Sequence, residues 1–352
     1  MYKKFFMGIA AMAALTLVSC SSDDLNSLSD NSSKNEAISF DGYLGRSAVS
    51  VNGTRGSVLD KTQLHNSADG FGVFGNYSST DEDNGFGSDL FNNQQVKGDA
   101  SDENKWTYSP KKYWSTQGHI DFLAYAPHVD GKTLKNNISN KTTCIDFTVS
   151  STIADQKDLL WANVKGQTKT NNPVKFTFNH ALAKIGYAVK KGVTDDNVTI
   201  TLNKITLAGS ATGPVKGAFY TDGTIDLSKD LSNTAGATAL WSDCKGEQYF
   251  TWSNDFPNVT NSLSAGSDYL FVIPQDFSTG TELYIIVDYT ISYKKGATAE
   301  MKSTVSSPIT TNFLQGKAYT INLSLGLTPI DFDVKVVNDW ENGATIPDIT
   351  WN

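Results

Sequence analysis

The sequence predicts an all-β fold, two β-sandwich domains in tandem. Strand signals are short, alternate apolar with polar residues, and are bounded by Gly, Asn, Asp or Pro. No long stretch carries helical periodicity. About 300 residues of this pattern follow the N-terminal segments, enough for two sandwiches.

The chain opens with "MYKKFFMGIAAMAALTLVSC". Lys3 and Lys4 precede an apolar run too short to span a bilayer as an ordinary helix. Residues 1–19 therefore read as a secretory signal peptide. The run ends at Leu17-Val18-Ser19-Cys20, which resembles the bacterial lipobox, so Cys20 is the expected lipidation site. Several acyl chains there would hold the protein to outer-membrane lipid far better than one. Residues 20–36 have almost nothing apolar to bury and read as a disordered tether. Asp23-Asp24, just after the cysteine, resembles the surface-export signal of Bacteroidetes lipoproteins.

Strands follow in order. "AISFDGYL" (37–44) reads as a first strand, with Ile38, Phe40 and Leu44 on one side. The Gly-, Ser- and Asn-rich segment after it, within residues 37–56, holds Arg46 and Arg55. These are the only arginines among 29 basic residues, so the other 27 are lysines. Residues 75–104, rich in Asn, Asp, Ser and Gly, read as a long surface insertion. In "VKFTFNHALAKIGYAV" (174–189), Val174, Phe176, Phe178 and His180 share one parity and Ile185, Tyr187 and Val189 the other. That shift suits a strand with a bulge or bend near Leu182, or a short helix. The domain boundary falls near residues 190–197, giving domains 37–192 and 193–352. In 281–293 one face carries Leu283, Ile285, Val287 and Tyr289. In 317–327 it carries Tyr319, Ile321, Leu323, Leu325 and Leu327. In 329–340 Ile330, Phe332, Val334, Val336 and Trp340 lie opposite Asp331, Asp333, Lys335 and Asp339. Beyond the "ENG" break, Pro347, Ile349 and Trp351 alternate with polar residues, and Pro347 suits an edge because it cannot donate to a ladder.

Composition narrows the function. Net charge is −8, which argues against nucleic acid and against an electrostatic hold on anionic lipid. Hydrophobic residues make up 39% of the chain, with 18 Phe, 14 Tyr and 7 Trp, so stability should come from a core. Only Cys144 and Cys244 remain after Cys20; one bridge between them is open on sequence alone. There is no phosphate-cradling glycine loop, no HExxH and no GxSxG. His65, His119, His128 and His180 show no metal-ligand spacing, and no metal or other cofactor is expected. His180 reads as a hydrogen-bonded core residue. "DEDNG" (81–85) lacks the downstream Glu of a calcium loop and reads as a solvated acidic turn. Trp106, Tyr108, Tyr113 and Trp114 form an aromatic cluster. Buried, it is sandwich core; exposed, it would stack on sugars.

Six stretches together resemble the fimbrillin family of Bacteroidetes: "YWSTQGHIDFLAYAPH" (113–128), "DLLWA" (158–162), "VKFTFNHALAKIGYAV" (174–189), "YLFVIPQDF" (269–277), "LQGKAYTINLSL" (314–325) and "VVNDWENG" (336–343). The resemblance implies two transthyretin-like β-sandwich domains and a non-enzymatic pilus subunit. It would be exported as a lipoprotein to the surface of the outer membrane and incorporated into a fimbrium. It further implies an arginine-specific protease as a partner, cutting after the first strand. Arg55 is favoured because "TRGS" resembles the family's arginine position, with Arg46 second. Loss of the first strand would leave a groove for a strand of another pilin subunit, self or heterologous. Residues 336–352, with Pro347, Ile349 and Trp351, are the candidate donor strand. The alternative is a non-polymerising surface lipoprotein that binds glycan through its aromatic residues.

Overall fold

Alternating β-branched and aromatic residues bury one face per strand, and here nearly every such run becomes a ladder. The structure, a computed structural model, describes residues 36–44, 60–80, 85–137, 142–213, 216–229, 241–279, 282–294, 300–327 and 331–337. Cys20, Arg46, Arg55, Pro347, Ile349 and Trp351 lie outside them.

The first strands are β1 (Phe40–Leu44), β2 (Phe71–Ser78), β3 (Phe91–Asp99), β4 (Asp102–Thr107), β5 (His119–Ala126), β6 (Lys135–Asn137), β7 (Thr142–Thr148), β8 (Leu160–Gln167) and β9 (Val174–His180). The remainder are β10 (Ala183–Lys191), β11 (Val198–Ala208), β12 (Asp222–Asp226), β13 (Trp241–Lys245), β14 (Phe250–Phe256), β15 (Ser264–Ala265), β16 (Leu270–Val272), β17 (Gln275–Asp276), β18 (Tyr284–Tyr293), β19 (Glu300–Pro308), β20 (Asn312–Phe313), β21 (Ala318–Leu325) and β22 (Asp331–Val337). The all-β prediction holds.

A seven-stranded sheet runs β1-β9-β8-β5-β2-β3-β4. A second is ordered β15-β10-β21-β22, with β16 also on β10. A third runs β14-β11-β18-β19. The fourth, β13-β12-β7-β6, draws two strands from residues 135–148 and two from residues 222–245. Cross-links reinforce that mixing: Trp241 Nε1 donates to Ala181 O at 3.0 Å, and Phe271 N to Gln156 Oε1 at 2.7 Å.

Two hydrophobic clusters fill the interior, and the seven-stranded sheet feeds both. On β5, Ile120, Phe122 and Ala124 enter one cluster while Leu123 and Tyr125 enter the other. A strand covered on both faces has no need to alternate, which is why "HIDFLAYA" is nearly continuous in apolar residues.

Three expectations need correction. Residues 75–104 are no insertion: β2 ends there and β3 and β4 follow, with Phe91 and Val96 buried. Their parities differ because Asn93, at φ 51°, breaks the alternation between them. The parity shift near Leu182 is no bulge within one strand. The chain leaves the seven-stranded sheet at His180 and enters the next at Ala183, and Ala181 N bonds Leu159 O at 2.8 Å in the crossing. Leu327 lies past the end of β21 and is exposed, while Tyr319, Ile321, Leu323 and Leu325 are buried as the alternation predicts.

One helix stands out, α1 (Lys61–Asn66). Asp60 caps it by accepting from Gln63 N at 2.6 Å, and Gln63 Oε1 accepts from Asp60 N at 3.0 Å. It sets the buried His65 against the core.

Candidate functional site

β1 begins after residues with little to bury; Ile38, just before it, and Phe40, its first residue, point inward at 1% and 3% exposure. Tyr43, on the other face, is exposed. β1 lies parallel to β9, with Phe40 opposite Val174 and Leu44 opposite Phe178. Among the described residues β9 is the only strand with which it forms a ladder, so it is the edge of its sheet.

Five residues pin its start. Asn172 Oδ1 accepts from Ser39 N and from Ser39 Oγ, each at 2.9 Å, and its Nδ2 donates to Ala37 O at 3.2 Å. Val174 N donates to Ser39 O at 2.8 Å. Tyr108, just past β4 at the far end of the sheet order, donates its hydroxyl to Ile38 O at 2.7 Å. Ile38 N donates to Lys112 O at 2.9 Å, and Ala37 bridges Tyr113. Burial pushes the Tyr108 hydroxyl above its ordinary pKa.

Side chains do the deeper work. The Phe40 ring has Phe91, Tyr108, Phe122 and Phe176 around it, with centroids 5.3–5.8 Å away. Burying Ile38 and Phe40 contributes about 1.5–3 kcal/mol for each. Gly42 is buried two residues further on, facing Trp106. β1 is thus a plug: apolar side chains enter a deep groove, while its backbone is laddered on one side.

The aromatic cluster is largely that groove's wall. Trp106, Tyr108 and Trp114 are buried and Tyr113 alone is exposed, so this cluster presents no stacking platform. A polar cleft of about 340 Å³ lies elsewhere, lined by Asn93, Gln95, His128, Asp130 and Lys132 among others. Its amides and amine serve the fold: Asn93 Nδ2 donates to Val129 O, Gln95 Nε2 to Asp69 O and Lys132 Nζ to Asp146 O.

His180 is buried with its Nδ1 2.7 Å from Asp158 Oδ2, the core histidine the sequence suggests. Lys184 is buried nearby, its Nζ 3.7 Å from the Tyr269 ring centroid; burial pulls its pKa down to about 8, against the pull of Asp158. Among the described residues no three His, Cys, Asp or Glu side chains gather as a metal site. Cys144 and Cys244 are free thiols. They stand on β7 and β13, on opposite sides of β12, and burial raises both pKa values.

Arg46 follows the last described residue of β1 by two positions, and Arg55 precedes Asp60 by five. At the other end, β22 pairs antiparallel with β21 up to Val337, short of Pro347, Ile349 and Trp351. Sequence reasoning found the first strand and the aromatic residues but missed Asn172 as its clamp. Nothing local signals that role, since Ser39 and Asn172 are 133 residues apart.

A family model described as fimbrillin-like matches residues 54–340. A fimbrial protein from Bacteroides vulgatus ATCC 8482 shares the fold at 19% identity, with 87% of this chain and 100% of that chain covered and a TM-score of 0.67. A candidate cell adhesion protein from Bacteroides ovatus ATCC 8483 aligns at 16% identity over 88% and 99% of the two chains, with a TM-score of 0.53. No curated protein matches the chain.

Proposed function

The chain belongs to the fimbrillin-like family, and on that premise we propose that it is a structural subunit of a cell-surface pilus, assembled with other subunits by strand exchange. It is made as a lipoprotein anchored through Cys20, and an arginine-specific protease releases it by cutting at Arg55 or, second, Arg46. We read residues 37–192 and 193–352 as its two sandwich domains, with β10 and the β6–β7 pair of the first joining the sheets of the second. Its surface is the outer membrane before cleavage and the fimbrium after it, and its role is adhesion by assembly rather than catalysis.

One observation carries this reading: β1 is a parallel edge strand with deeply buried side chains, and both arginines of the chain follow it before α1 begins. A cut at either arginine separates β1 covalently from everything it plugs. Departure of β1 would expose unpaired N–H and C=O groups of β9 and the apolar groove beneath. A strand from another subunit restores both the ladder and the side-chain contacts. The segment around Pro347, Ile349 and Trp351 is the proposed donor to a neighbour.

Arginine-specific proteolysis of the full chain, in the presence of partner subunits from the same cell surface, tests the model. Ladders of SDS-resistant oligomers are expected. A cut chain that stays monomeric, retains β1 and forms no ladder contradicts it. Cys20→Ser is expected to block acylation, and radiolabelled palmitate entering that variant would refute the anchor.

A further inference from the structure

Glycine inside a strand weakens it, because it costs backbone entropy and packs nothing. Gly42 sits mid-strand in β1 without the usual excuse: its φ is not among the positive ones, so the backbone there suits any residue. Space is what excludes a side chain. A Cβ at Gly42 would stand 3.2 Å from Trp106 Cζ2 and 3.5 Å from ring atoms of Phe178 and Phe71. Trp106 has little room to yield. It is 5% exposed, and the rings of Phe71 and His65 pack edge-on against it at 4.9 Å. His65 is itself held, its Nε2 3.0 Å from Lys105 O.

Two residues earlier the groove asks for the opposite. Phe40 fills the box of Phe91, Tyr108, Phe122 and Phe176, which a small residue would leave hollow. Along one strand direction the groove therefore reads bulky, then nothing.

We propose that Trp106 and the Phe40 box form a size filter for strand exchange: the groove accepts a strand of a different subunit that carries a bulky apolar residue followed two positions later by glycine, and the chain's own segment around Ile349 and Trp351, which lacks that glycine, serves a neighbour with a different groove. This rests on the strand-exchange reading above and deepens it by stating the chemistry of the incoming segment. Alanine in place of that glycine meets a tight contact and enters less readily; leucine or any larger residue is excluded while Trp106 stands.

The test uses the full chain nicked by an arginine-specific protease, in which β1 is held only by its contacts. A fluorescein-labelled peptide of residues 37–44 is offered, and its capture is followed by anisotropy. The native peptide is expected to displace β1. Its Gly42→Leu and Phe40→Ala forms should be captured at least tenfold less well. A Trp106→Ala chain should recover the Gly42→Leu peptide and still reject the Phe40→Ala one. Equal capture of the native and Gly42→Leu peptides by the native chain would overturn the filter. A second measurement does not depend on exchange: thermal melting of the uncut chain carrying Gly42→Leu, Trp106→Ala, or both. The double variant should melt higher than additivity allows, and plain additivity would refute the Gly42–Trp106 contact as the filter. If that coupling is present while no peptide, native included, is captured, strand exchange itself is what has failed.

Discussion

β1 on β9 and β10 on β21 are both parallel pairs that join distant parts of the chain, but they are enclosed differently. β21 has β22 along its other edge, and β10 has β15 and β16. β1 has β9 and, at its start, the single bridge from Ala37 to Tyr113. Their side chains are equally deep: Ile38 and Phe40 are as buried as Tyr319 and Ile321. What differs is how many ladders break when the strand leaves. Removing β1 opens one sheet edge; removing β21 would split a sheet down its middle. A detachable strand here combines deep side-chain anchoring with one-sided backbone pairing, and depth of burial alone does not tell a plug from a girder.

The contrast is broken most severely by matched truncations. Phe40→Ala should cost about 3–5 kcal/mol and Ile321→Ala about 2–5 kcal/mol. The two losses should differ in kind. Hydrogen exchange on the Phe40→Ala chain is expected to show β1 amides released while β5 and β21 stay protected. Ile321→Ala should lower the thermal midpoint of the whole second sheet. If Phe40→Ala unfolds both regions together, β1 is not separable.

The interior pair carries its own signature in Lys184, on β10. Its pKa of about 8 lies below the ordinary 10.5, so between those values the unfolded chain binds more protons than the folded one. Stability should rise as pH climbs through 8, by up to about 2–3 kcal/mol. Above roughly pH 10 the sign reverses, because burial holds Tyr125 at about 12 and the unfolded tyrosine ionises first. Thermal melts from pH 7 to 11 should show that maximum, and Lys184→Met should remove its rising limb.

Asn172→Ala sharpens the comparison at β1 alone. It removes the acceptor for Ser39 N and Oγ and the donor to Ala37 O, a loss of about 1–3 kcal/mol. Faster exchange of Ser39 without a shift in β21 is the expected result. Tyr43→Ser, on the exposed face of β1, should stay within about 0.5 kcal/mol in a melting experiment.

How much of this was legible beforehand depends on the range of each interaction. β21 was readable because one face is buried and the other is not, so Tyr319 to Leu325 alternate. α1 is signalled by Asp60 and Gln63 at capping-box spacing, but six residues are too few to show a periodic pattern. β3 is hard to read, since Asn92, Asn93, Gln94 and Gln95 look like loop and the turn of phase at Asn93 hides Phe91 and Val96. The pairing of β1 with β9 had no local trace at all: parallel register between residues so far apart is decided by the finished sheet. Gly42 was visible as a letter but not as a fit, because its partner Trp106 comes from the other edge.

N-terminal sequencing of the protein recovered from the cell surface, with the protease active, shows whether β1 is cut away before assembly. A mature chain beginning at Gly56, or at Ser47 if Arg46 is used, is expected, with residues 37–44 gone from the polymerised fraction. Surface polymer that still begins at the lipidated Cys20, with β1 in place, would contradict it.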